Sequence, residues 1–191
     1  MRIIALTTPK VTDDDAYIIK GLLDKGVDVI HFRKPLSSVD ECRALLSTID
    51  EDYRARIIVH DYSELYYEFS LKGIHVNRSV TRLPDGYDGF RSRSCHTFDE
   101  VVRYKSDYDY LFISPIFDSI SKVGYRSGFD EGELQRLSKE GVIDDRVIAL
   151  GGVTFDKIAY LKSLHFGGAA MLGALYCVDA VDGLDDINRY R

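Results

Sequence analysis

The stretch "VDVIHFRKP", residues 27–35, starts with the β-branched residues Val27, Val29 and Ile30 around Asp28 and ends in a basic tip closed by proline. Successive strand residues point to opposite faces, so His31 and Arg33 share one face while Lys34 points elsewhere. Strand candidates recur along the chain at residues 3–7, 27–33, 56–60, 73–76, 91–95, 110–114, 146–150 and 169–173. Several of these leave into polar groups: His60-Asp61, His75-Val76-Asn77-Arg78, Ser94-Cys95-His96 and Ser114-Pro115.

Between the runs, apolar residues return at helical spacing. Asp13-Asp14-Asp15 opens a segment carrying Ile18, Ile19, Leu22 and Leu23, and Ser38-Val39-Asp40-Glu41 sets acidic groups at the positive end of another. Thr97 and Glu100 have capping-box spacing, with Glu100 expected to reach back to the Thr97 amide. Thr154-Phe155-Asp156 opens a helix with Ile158, Leu161 and Leu164, and a last helix is expected over about residues 178–187. "NRSVTRLPDGYDG", residues 77–89, holds turn formers and little helical periodicity, so the fourth helix is weak or missing.

Alternating strands and helices give an α/β fold with a parallel sheet, and eight strands predict a closed (β/α)8 TIM barrel. A flavodoxin-like open sheet would leave about three of the strands without a place. The 191 residues suit one compact domain spanning residues 1–191.

A net charge of −6 opposes general attraction to nucleic acid. No apolar stretch approaches the ~20 residues of a membrane span, and the N-terminus turns polar too soon for a signal peptide, so a cytoplasmic location is expected. Cys42, Cys95 and Cys177 lack metal-finger or disulfide spacing and are read as packing residues.

In such a barrel, functional groups gather beyond the C-terminal ends of the strands. Gly151-Gly152 after the seventh strand and Gly173 after the eighth would let backbone amides approach a phosphate. Each feature also has a plain structural reading. Arg33-Lys34 fits a solvated strand end, His31, His60 and His75 fit neutral core histidines, and Ser119 and Ser121 fit a turn. Their shared end of one sheet argues for a joint site.

The stretch "SPIFDSISK", residues 114–122, resembles the G-P-I-F-x-T-x-T-K loop of the thiamine phosphate synthase and TenI-like family, with Ser119, Ser121 and Lys122 at its threonine and lysine positions. "VIALGGV", "KGIHV", "SCH" and "GGAAMLGALY" are similar to further family segments, so the likeness runs from about residue 3 to 175. The resemblance implies coupling of hydroxymethylpyrimidine diphosphate to thiazole phosphate with release of diphosphate. It implies Arg33 and Lys122 on the diphosphate, Ser119, Ser121, Gly151, Gly152 and Gly173 on the thiazole phosphate, and Asp61 on Mg2+. His31 joins Arg33 and Lys122 as a catalytic candidate, and Lys34, His60 and Arg78 are candidate substrate or phosphate contacts. Phosphorylated small molecules are the expected partners, with a homodimer possible for barrels of this kind.

The chain departs from the family pattern at named places. His31 stands where the family has glutamine, Pro35 where it has lysine, and Asn77-Arg78-Ser79-Val80 where it has G-Q-x-D, which removes the second magnesium carboxylate. These departures keep two other outcomes open: a TenI-like paralogue with thiazole tautomerase or altered chemistry, and a non-catalytic binder of thiamine-precursor phosphates. The tautomerase branch carries a histidine where this chain has Pro115.

Overall fold

A computed structural model describes residues 1–118, 128–183 and 187–190. Eight parallel strands close into a barrel in sequence order: β1 (Arg2–Leu6), β2 (Val29–Phe32), β3 (Ile57–Val59), β4 (Gly73–Val76), β5 (Phe90–Cys95), β6 (Tyr110–Ile113), β7 (Val147–Leu150) and β8 (Gly168–Met171). Every predicted strand is present, with ends shifted by at most two residues. The polar exits Thr7, Arg33, His60 and Ser114 fall just outside the ladders rather than in them.

Helices α1 (Asp15–Asp24), α2 (Val39–Ser47), α3 (Glu51–Arg54), α4 (Glu64–Phe69), α5 (Phe98–Tyr104), α6 (Glu131–Lys139), α7 (Ile158–Ser163) and α8 (Val178–Gly183) cover the barrel. The short α3 was not foreseen in the sequence. The last helix is described over Val178–Gly183, and a 3-10 turn over Ile187–Tyr190. No helix joins β4 to β5, as the composition of residues 77–89 predicts.

Ser38 forms the complete capping box on α2: its side chain accepts from the Glu41 amide, and the Glu41 carboxylate accepts from the Ser38 amide. At α5 the box is only half formed. Thr97 accepts from the Glu100 amide at 3.2 Å, but the Glu100 carboxylate takes the amide of His96 rather than that of Thr97.

Two apolar clusters follow from strand alternation. Ile4, Leu6, Val29, Ile58, Tyr110, Phe112, Ile148 and Ala170 fill the barrel interior. Residues such as Ile3, Ile30, Phe32, Ile57, Leu111 and Val147 face outward and bury Ile19, Leu22, Leu46 and Leu161 of the helices. Cys42 and Cys95 are packing residues in that outer layer, whereas Cys177 is exposed, because it lies in the turn after β8 and reaches no core. Among the described residues, no helix is long and apolar enough to cross a membrane.

Candidate active site

The interior of the barrel is polar on one side. His31 of β2, His75 of β4 and His60 at the exit of β3 come together with Ser92 and Ser94 of β5 and Tyr110 of β6. His31 Nδ1 and His60 Nε2 lie 2.7 Å apart, and His31 Nε2 lies 2.5 Å from the Tyr110 hydroxyl. His75 is held on both ring nitrogens, by Ser92 Oγ and Ser94 Oγ at 2.8 Å each. The His60 and His75 rings stack at 4.0 Å. Burial drives the pKa of all three histidines down, that of His75 to about 3, so each is neutral at pH 7.

The donor atoms of these histidines lie within 4.8 Å of one another, which raises the question of a metal. Both nitrogens of His31 and of His75 and one of His60 are already spent on hydrogen bonds. The stacked His60 and His75 rings also lie in nearly parallel planes 4.0 Å apart between centroids, which keeps their in-plane lone pairs from meeting at a common point. The cluster is a hydrogen-bond network.

Above it, at the C-terminal end of the strands, opens a cleft of about 230 Å³. His60, Ser94, Phe112, Leu6 and Leu150 form its lower wall, and Arg33, Asn77, Arg78, Ser79 and His96 its rim. Arg33 is exposed, yet its backbone is clamped: Thr7 Oγ1 accepts its N–H and donates to its carbonyl, both at 2.9 Å. Arg78 sits at the tip of a tight turn, because the Asn77 side-chain oxygen accepts the amides of Ser79 (2.7 Å) and Val80 (2.9 Å). His96 Nδ1 donates to the Ser114 carbonyl at 3.1 Å. A larger open groove of about 980 Å³ lies at the opposite end, against residues that enter the strands, such as Arg2, Asp28 and Gly167.

Asp61, next to His60, is half-buried; one carboxylate oxygen accepts the Lys34 amide at 3.1 Å. Burial raises its pKa, and the Lys34 amide and the Arg33 guanidinium pull it back only in part. A carboxylate so placed favours a further cation, and its second oxygen has no hydrogen-bond partner among the described residues.

Lys34 does not reach the cleft. Its ammonium is fully buried, 2.7 Å from the Asp15 carboxylate and 3.0 Å from the Lys10 carbonyl, while Asp15 also accepts from the Thr12 amide and the Tyr176 hydroxyl. The reason is the alternation that separates it from Arg33: its face is the one turned to α1. A phosphate contact would have to break this pair, so Lys34 is removed from the candidate ligands.

The turns after β7 and β8 stand side by side, since Leu150 pairs with Ala170. Gly151 and Gly152 have φ of 91° and 62°, and a Cβ on Gly151 would lie 2.8 Å from Pro115. Glycine is therefore required here by conformation and by packing against the β6 exit. The amides of Gly151, Gly152, Gly173 and Ala174 have no acceptor among the described residues, so the same turns keep donors available.

His31, Arg33, His60 and Arg78 thus converge on one end of the barrel, with Asp61 beside them. Lys122, Ser119 and Ser121 lie outside the described residues. Sequence reasoning missed Tyr110, Ser92 and Ser94 as partners of the histidines and Asp15 as the partner of Lys34. Strand alternation in "YLFI" placed Tyr110 on the face of Phe112 and was a usable signal; nothing local tied Asp15 to Lys34.

The sequence profile described as thiamine monophosphate synthase matches residues 3–175. This chain belongs to that family. Among solved structures, the family member superimposes on a thiamine phosphate pyrophosphorylase from Bacteroides thetaiotaomicron with a TM-score of 0.87 and 37% identity, covering 96% of this chain and 93% of the other. Curated relatives include thiamine-phosphate synthases of Caldivirga maquilingensis, 29% identical over 93% of this chain and 91% of the relative. Another, from Caldicellulosiruptor bescii, is 25% identical over 90% of this chain and 79% of the relative.

Proposed function

We propose that the chain joins hydroxymethylpyrimidine diphosphate to thiazole phosphate, releasing diphosphate and forming thiamine phosphate. The observation that carries this reading is the cleft in which Arg33 and Arg78 form a cationic rim above His60, on a chain of this family. Arg33 and Arg78 bind the diphosphate and take up the charge that builds on it as the C–O bond to the pyrimidine methylene breaks. The thiazole nitrogen then captures the methylene cation, and the product needs no other covalent help from the protein. The amides of Gly151, Gly152, Gly173 and Ala174, without an acceptor among the described residues, hold the thiazole phosphate, which fixes the nitrogen in line. Lys122 joins Arg33 on the leaving group, and Ser119 and Ser121 contact the thiazole phosphate.

Asp61, with one oxygen unpartnered among the described residues, suits a Mg2+ shared with substrate phosphates. Such an ion, when bound, neutralises the leaving diphosphate. With Asn77-Arg78-Ser79-Val80 offering no second carboxylate, Arg78 carries part of that duty. The same missing carboxylate favours a second reading, in which precursors are bound without turnover.

The test is a coupling assay on the wild type and Lys122→Ala. The variant is expected to lose about 10²–10³-fold in kcat with an unchanged melting temperature. Unaltered turnover would remove Lys122 from the reaction, and binding of both precursors to the wild type without product would establish the second reading.

A further inference from the structure

The hydrogen bonds under the cleft have a direction that buried-donor accounting fixes. The Tyr110 phenol is buried, burial holds it protonated, and His31 Nε2 is its one partner among the described residues. Were His31 to donate to the phenol oxygen, the phenol proton would be left without an acceptor, an arrangement that buried hydroxyls avoid. The phenol therefore donates to His31 Nε2. A neutral His31 then carries its proton on Nδ1 and donates it to His60 Nε2, 2.7 Å away. A neutral His60 in turn carries its proton on Nδ1, which has no partner among the described residues, and His60 lines the cleft.

We infer that Tyr110 is a positioning residue acting through His31, which locks His60 as a hydrogen-bond donor to an acceptor nitrogen of a planar heteroaromatic ring lying on the cleft floor. Phosphate belongs to the rim with Arg33 and Arg78, whereas Leu6, Phe112 and Leu150 beside His60 offer the flat apolar contacts that a ring takes. In its assignment of that ring to the pyrimidine substrate, the inference rests on the proposed coupling reaction; its tautomer claim does not.

Histidine-selective 15N NMR of the whole protein at pH 7.5 reads the tautomers directly. His31 and His60 are both expected as the Nδ1–H form. An Nε2–H form of His60 in the wild type would overturn the inference, whatever the protein catalyses. Tyr110→Phe removes one hydroxyl, and the two tautomers are expected to redistribute towards Nε2–H; unchanged spectra would deny Tyr110 its role. In the coupling assay, Tyr110→Phe should raise KM for the pyrimidine diphosphate about fivefold, the loss of one neutral hydrogen bond, and leave KM for the thiazole phosphate as it was. Equal rises in both would reduce Tyr110 to a structural residue. A wild type that turns nothing over would sink the coupling reaction alone, and the wild-type spectrum would still decide the tautomer, even if Tyr110→Phe failed to fold.

Discussion

Replacing Lys34 by methionine is expected to destabilise the protein by about 3–5 kcal/mol, measured by urea denaturation at pH 7.5. The ammonium and the Asp15 carboxylate are both fully buried at 2.7 Å, so losing the cation strands a negative charge in a place that water does not reach. The Thr12 amide and the Tyr176 hydroxyl would remain on Asp15, but they offset only part of that cost. Adding Asp15→Leu to Lys34→Met should recover much of the loss, since removing both charges removes the desolvation penalty with them. A change below about 1 kcal/mol, the range of an exposed ion pair, would show that the pair is hydrated. The pair joins the exit of β2 to α1 and, through Tyr176, to the turn after β8. The same substitution should therefore disturb the turn that holds Gly173.

Acid is expected to unfold this barrel from an unusually high pH. His31, His60 and His75 have pKa values depressed in the folded state, the last to about 3, and all return to about 6.5 on unfolding. Below pH 6.5 the unfolded chain binds protons that the folded chain refuses. The stability these groups contribute is present in full above pH 6.5 and falls as the pH drops towards the folded values. Each histidine contributes a slope approaching about 1.4 kcal/mol per pH unit, and the three together about 4. Denaturation midpoints at pH 7.5, 6.5 and 5.5 check this. His75→Gln should flatten the slope by about a third. Equal midpoints at pH 7.5 and 5.5 would mean that the histidines gain protons inside the folded barrel.

The barrel was legible in the sequence because most of its strands are short and apolar and most are followed by helical periods. The lack of a helix between β4 and β5 was legible for a chemical reason, since "NRSVTRLPDGYDG" offers turns and no apolar face. The misplacement of Lys34 depended on a contact between distant residues. Lys34 resembles a phosphate ligand until Asp15, 19 positions earlier, is seen on its ammonium. The histidines were visible as strand-end residues, but the network among them required the barrel to close, bringing Tyr110 79 positions away onto His31. The glycine turn was read for its amides, whereas its positive φ and its contact with Pro115 show a packing demand that holds with or without phosphate.

The most direct measurement mixes the purified protein with hydroxymethylpyrimidine diphosphate, thiazole phosphate and Mg2+, and follows both products. The site described here predicts thiamine phosphate and diphosphate in equal amounts, with a loss of at least about 10²-fold in Arg33→Ala. Full activity in Arg33→Ala, or no product from a wild type given both precursors, would contradict it.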